Sequence, residues 1–164
     1  MSTRTKAGFT TPIIRRWDEL GYRKSYKIAQ MNKPFDPRDP STAIGGVLNY
    51  LVPSSELIPI IDKVPSDQLP FKHNEAPTFA EFVDIAKRVP TAIFEVYVVC
   101  EWRDDERVTI DGVRVPVPDG LVPNAKNLRQ SRKETFGTLG NFDKPAREHF
   151  TTVDGKRYYR AWWD

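Results

Sequence analysis

Three side chains in this 164-residue sequence have the chemistry of a nucleophile and its base: Cys100, His73 and His149. Covalent catalysis needs a thiolate beside an imidazole that a third group orients. Each histidine has a carboxylate close in sequence, in His73-Asn74-Glu75 and in Glu148-His149. The position of the thiol argues against this use. Cys100 closes a run of alternating apolar residues, where a cysteine behaves as a small buried hydrophobe. As the single cysteine it can form no intrachain disulfide and no cysteine-based metal cage. The two histidines and their carboxylates match no metal-ligand spacing, so no cofactor or metal is expected.

Phosphate and nuclease chemistry find little more. A phosphate-binding loop needs Gly-x-x-x-x-Gly-Lys-Ser/Thr, which is missing, and Gly137-Thr138-Leu139-Gly140 reads as a pair of turns. A metal-dependent nuclease needs an acidic pair near a strand end. Glu95, Glu101 and Asp104-Asp105 lie on or just after the best strand, but charges there ordinarily form a solvated rim. His149, Asp154 and Arg157 would meet if a hairpin brought them together, and with His149 or the strand carboxylates in play a small nuclease stays among the alternatives.

The stronger signal is the placement of charge. Residues 1–50 hold 9 Lys/Arg against 4 Asp/Glu, residues 51–110 hold 6 against 11, and residues 111–164 hold 10 against 7. The basic head consists of Arg4, Lys6, Arg15, Arg16, Arg23, Lys24 and Lys27. The tail, Lys156-Arg-Tyr-Tyr-Arg-Ala-Trp-Trp-Asp164, interleaves cations with aromatics. As a strand it points Lys156, Tyr158, Arg160 and Trp162 one way and Arg157, Tyr159, Ala161 and Trp163 the other. Arginine among aromatics can grip phosphate and stack bases, and the same residues supply the energetic centres of protein interfaces. The binding residues expected from these two signals are Arg4, Lys6, Arg15, Arg16, Arg23, Lys24, Arg157, Tyr158, Arg160 and Trp162.

These side chains need elements to position them. Thr11-Pro12 opens a helix with Ile13, Ile14, Trp17 and Leu20 on one face. A second short helix is expected over Tyr22–Met31. Three prolines make 33–40 a loop. Ser41 then caps a helix carrying Ile44, Val47, Leu48 and Leu51, which Pro53 ends, and Ser55 starts another piece over Glu56–Val64. Thr78-Phe79-Ala80-Glu81 is a capping box, opening a helix that buries Phe79, Phe82, Val83, Ala86 and Val89. The period then changes to two. Ala92–Arg103 reads as a strand with Ala92, Phe94, Val96, Val98, Cys100 and Trp102 on its buried face, and Glu95, Tyr97, Glu101 and Arg103 on the wetter one. Asp111-Gly112 and Asp154-Gly155 each suit a two-residue hairpin turn, and a short helix is expected over 124–134.

The expected fold class is α+β: N-terminal short helices followed by a small antiparallel sheet with two Asp-Gly hairpins. Residues 1–10 are expected to form a flexible basic arm and 11–164 one domain, long enough to bury roughly two-thirds of its unfolded surface. No run of about 18 apolar residues is present, so no membrane partner is expected. The start lacks the apolar stretch of a secretory signal, which favours a cytoplasmic or virion location. The expected function is a non-enzymatic structural or assembly subunit, a virion-like or ribonucleoprotein-like component. It would bind neighbouring subunits, or nucleic acid, through its basic and aromatic surfaces. The alternatives are a monomeric nucleic-acid-binding or inhibitory module and a small nuclease.

Overall fold

A computed structural model describes residues 8–24, 35–39, 42–137 and 145–163. Among them are strands β1 (Val47–Pro53), β2 (Ile93–Val99), β3 (Arg107–Pro116), β4 (Arg147–Val153) and β5 (Lys156–Trp162), and helices α1 (Thr10–Glu19), α2 (Ser54–Leu57), α3 (Phe79–Arg88) and α4 (Ala125–Phe136). The strands form one sheet in the order β1-β2-β3-β5-β4, antiparallel throughout. The chain is therefore α+β. Helices do not simply precede strands: α2 and α3 lie between β1 and β2, and α4 between β3 and β4.

The helices cover one face of the sheet. Trp17 of α1 packs against Tyr50 of β1, with ring centroids 5.3 Å apart. Phe82 of α3 meets Phe94 of β2 and Trp163 edge-on, both at 6.0 Å. Phe136 of α4 reaches the same tryptophan at 5.7 Å. Tyr50, Val52, Phe94, Val96, Ile110, Val113, Tyr159 and Ala161 form the sheet's contribution to this core. The period-two alternation of a half-buried strand accounts for the choice.

Helix α3 follows from its sequence. Thr78 accepts from the Glu81 backbone N–H at 3.2 Å, and the Glu81 carboxylate accepts from the Thr78 backbone N–H at 2.7 Å. Helix α4 is capped by Asn124, whose side chain accepts from the Asn127 N–H at 2.8 Å.

Helix α1 starts differently from the Thr11-Pro12 expectation. It begins at Thr10, without a local side-chain cap. Glu106, distant in sequence, accepts from the Gly8 N–H at 2.9 Å, the Thr10 N–H at 3.0 Å and the Thr10 hydroxyl at 2.7 Å. A carboxylate just ahead of β3 thus satisfies orphan donors of the first turn, where negative charge is also favoured. Gly8–Thr10 are accordingly fastened to the fold; residues 1–7 of the expected arm, Arg4 and Lys6 included, lie outside the described residues.

Several expectations are corrected. The segment expected as a helix over Ile44, Val47, Leu48 and Leu51 is a tight turn at Ile44–Gly46 followed by β1. Gly45 and Gly46 take φ of 59° and 75°, which breaks a helix, and Leu48, Tyr50 and Val52 then alternate inward. Tyr22–Lys24, expected to start a helix, runs extended beside β1: the Leu51 N–H donates to the Tyr22 carbonyl at 2.9 Å and the Lys24 N–H to the Asn49 carbonyl at 2.8 Å. Residues 25–34 lie outside the described residues. The strand expected to reach Arg103 ends at Val99, so Trp102 is exposed rather than buried.

Asp111-Gly112 forms no hairpin turn. Both residues lie inside β3, at a bulge opposite Glu95 and Val96. At Asp154-Gly155, by contrast, φ is 50° and 75°, and Val153 pairs with Lys156 across the turn between β4 and β5. A two-residue turn of this hand requires positive φ at both central positions. The first Asp-Gly pair lacks it and the second has it.

Candidate functional site

The sheet face turned away from the helices carries the charged residues. Strand pairing sets Leu51, Glu95, Gly112, Trp162 and Arg147 in one row, and Pro53, Ile93, Arg114, Arg160 and His149 in the next. Glu95 is the centre. Arg160 donates to both of its carboxylate oxygens, Nε at 2.8 Å and Nη2 at 2.9 Å. Lys24 Nζ approaches at 3.1 Å and Arg114 Nη2 at 3.4 Å. The Glu95 side chain is only 6% exposed.

Local structure explains how these groups meet. Pairing of Tyr22–Lys24 with β1 carries the Lys24 side chain over the sheet. Gly112 lies on β3, between Glu95 on β2 and Trp162 on β5. A Cβ there would stand 2.5 Å from Glu95 Oε2 and 3.2 Å from the Ala161 carbonyl. The missing side chain is what lets Glu95 and Arg160 join across the intervening strand. The bulge also places Asp111 on this face, near Glu95.

Electrostatics separate the two carboxylates. Burial alone would raise the Glu95 pKa, but the hydrogen bonds and charge of Arg160, with the charges of Lys24 and Arg114, outweigh it and hold the pKa below the usual value. Asp111 is pushed up to about 6, first by burial and then by repulsion from Glu95. His149 is shifted down by burial and by the nearby Arg160 and Arg114. It packs edge-on against Trp162 at 5.1 Å, while the Arg160 guanidinium lies 4.0 Å from the same ring centroid. The outer surface of the site is therefore a guanidinium stacked on an indole with an imidazole beside it, suited to planar or anionic groups.

The expected binding residues fall in different places. Lys24, Arg160 and Trp162 come together at Glu95, and Tyr158 shares their face with Lys156 5.9 Å from its ring. Arg157 faces the opposite side and donates to the Leu121 carbonyl. Arg16 is bound to Glu56 at 2.8 and 2.9 Å, and Arg23 pairs with Asp18. Arg15 is exposed on α1. Of the basic head, Arg16, Arg23 and Lys24 thus lie in separate ion pairs with Glu56, Asp18 and Glu95, while Arg4, Lys6 and Lys27 lie outside the described residues.

The catalytic constellations do not assemble. Burial raises the Cys100 thiol to about 11. His73 packs on Tyr97 at 5.1 Å and His149 on Trp162, without a hydrogen bond to Cys100 among the described residues. His149, Asp154 and Arg157 do not converge, because Arg157 and His149 occupy opposite faces of the hairpin and Asp154 is in its turn. Glu95, read as a rim charge, is the buried hub instead. Asp105 is tied to Arg103 at 2.8 and 2.9 Å and also to Arg107. Among the described residues no cluster of histidine, cysteine and carboxylate side chains is arranged to hold a metal, and no helix is long and apolar enough to cross a membrane.

Sequence reasoning missed Gly112, Asp111 and Arg114. Two signals pointed to them. A single carboxylate between Phe94 and Val96 in an apolar strand needs a partner, and a glycine in a strand pattern marks a bulge or a close approach.

No protein-family model, curated protein or solved structure matches this chain.

Proposed function

We propose that this chain is a non-enzymatic structural or assembly subunit, a virion-like or ribonucleoprotein-like component that binds neighbouring protein subunits. The observation that supports this most is the use made of its cations. Arg16, Arg23, Lys24 and Arg160 are each bonded to a carboxylate of the same chain. Phosphate binding draws its strength from cations that shed counterions on contact; Arg16 and Arg23, each neutralised by its own carboxylate, have less to offer, while Lys24, Arg114 and Arg160 share the Glu95 carboxylate and are fixed around it. A rigid surface of paired charges around stacked aromatics is better suited to shape-matched protein contact, where tryptophan, tyrosine and arginine contribute most.

Light scattering over a protein and salt series tests the reading, with Trp162→Ala compared for its share in any association. Concentration-dependent assembly at physiological salt is expected. A particle that stays monomeric at every concentration, and binds random-sequence RNA or DNA instead, would overturn it.

Nucleic-acid binding is the second reading, favoured by the Arg160–Trp162 stack and by Tyr158 on the same face. Such binding would weaken steeply with added salt. Failure to retard single- or double-stranded probes even at low salt would remove it.

A further inference from the structure

We infer that two copies of this chain pair through the outer edge of β4, joining their sheets into one ten-stranded sheet about a two-fold axis at Phe150. The inference rests on the assembly reading and names the surface and partner for it.

The two sheet edges are treated differently. Tyr22–Lys24 covers the β1 edge with backbone hydrogen bonds, and Pro53 ends that strand. Among the described residues, strand β4 has a partner on one side only, β5. Its sequence, Arg-Glu-His-Phe-Thr-Thr-Val, has no proline and no lysine, and its pairing shows no bulge. Proline, lysine and a bulge are among the devices that normally stop an edge from adding another strand, and the one charge that β4 points inward, Glu148, is taken up within the chain by the Tyr159 hydroxyl and Arg132.

The unpaired groups follow from the hairpin. Val153 and Lys156 flank a two-residue turn, so they exchange backbone bonds with each other, as do Thr151 with Tyr158 and His149 with Arg160. The alternate residues Glu148, Phe150 and Thr152 direct their N–H and C=O groups outward. Among the described residues no backbone partner meets them.

This edge is complementary to itself. With the axis at Phe150, Phe150 faces Phe150 of the second copy, and Glu148 faces Thr152. His149 then faces Thr151, and Arg147 faces Val153. All three outward residues meet outward residues, so every donor finds an acceptor. No like charges stand opposite each other, and the aromatic pair forms at the axis. Moving the axis to residue 149 sets His149 against His149 and leaves part of each strand unpaired. A shift by one residue of one strand alone would oppose the two faces of the pleat. The contact is isologous and closes at two copies. Phe150 already rests on Tyr159, ring centroids 6.5 Å apart, so the axis is built on the core.

Sedimentation velocity of the full chain over a concentration series, with amide hydrogen exchange on dilute and concentrated samples, tests this. Thr152→Pro removes one outward donor per copy and spares the β4–β5 ladder; Thr152→Glu leaves the backbone intact and sets a like charge opposite Glu148 of the second copy. Each is expected to weaken dimerisation by more than about tenfold with an unchanged melting temperature in dilute solution. The Phe150 and Thr152 amides should gain protection as the wild-type dimer forms. Dimerisation equal in all three proteins, with these amides unprotected, would overturn edge pairing while leaving assembly through another surface standing. A wild-type protein monomeric at all concentrations would also overturn it, and if that monomer still joins a different protein, the assembly reading survives alone.

Discussion

Arg160 holds Glu95 through both arms of its guanidinium fork, at 2.8 and 2.9 Å, across 65 residues of sequence and across strand β3. The pair is possible because Gly112 leaves the intervening strand bare at that point. The joint use of a buried carboxylate by Arg160, Lys24 and Arg114 makes it the most consequential electrostatic element of the sheet.

Glu95→Gln should therefore destabilise the fold strongly. Removing one member of a buried ion pair leaves uncompensated charge and typically costs about 3–5 kcal/mol. Urea unfolding at neutral pH measures the loss. The wild-type contribution has a definite pH sign: the folded pKa is lowered, so this stability is present above the unfolded carboxylate value and is lost as pH falls through the folded value. A neutral-pH loss below about 1 kcal/mol would mean that the hub stores little stability.

Asp111→Asn should act in the opposite direction. The Asp111 pKa is raised from 3.8 to about 6, so the folded state holds this proton more tightly than the unfolded chain does. Stability contributed by the protonated acid is present at low pH and is lost as pH rises from about 4 to about 6. The asparagine variant should exceed wild type at pH 8 by on the order of 2 kcal/mol and lose that advantage near pH 3. Chemical denaturation at the two pH values checks the difference, and an equal effect at both would refute it.

The two Asp-Gly pairs should respond differently to asparagine. Gly155 has φ of 75°, and no atom lies within 4 Å of the place a Cβ would take; asparagine tolerates that backbone. Gly155→Asn should cost well under about 1 kcal/mol. Gly112→Ala and Gly112→Asn instead push a carbon against Glu95, and each should cost roughly 1–3 kcal/mol. Thermal melts of the three variants separate close packing from backbone freedom.

Glu106→Gln should loosen the start of α1. It weakens hydrogen bonds to the Gly8 and Thr10 N–H groups and the Thr10 hydroxyl, for a loss of about 1–2 kcal/mol. Amide exchange of the first turn should rise more than that of α3, which carries its own capping box. Equal exchange in wild type and variant would show that Glu106 is dispensable as a cap.

Some of these elements were legible from residue order. The α3 capping box, the Ile13, Ile14 and Trp17 stripe of α1 and the opposed faces of the last strand depend on spacings of three, four and two residues, which the backbone converts directly into neighbours; Leu20, expected on the same stripe, lies past the end of α1 and is exposed. Cys100 was likewise readable as a buried thiol. Elements that depend on distant partners were harder to read. Ile44–Leu51 carries apolar residues at helical spacing, yet a glycine pair in the left-handed region and pairing with β2 make it a strand. The Glu106 cap and the fastening of Gly8–Thr10 come from a segment almost a hundred residues away.

The sequence by itself determined an α+β chain, a buried lone cysteine and a terminal strand that sorts its aromatics and arginines to two faces, because each is a matter of composition or local period. Only the tertiary structure decided that the first Asp-Gly pair is a bulge rather than a turn. It also decided that Glu95 is a buried hub rather than a rim charge, and that Arg16, Arg23 and Lys24 of the basic head are spent on internal ion pairs. Those outcomes depend on which strands lie side by side. Strand order and register bring Glu95, Gly112 and Arg160 together, and local spacing carries no record of them.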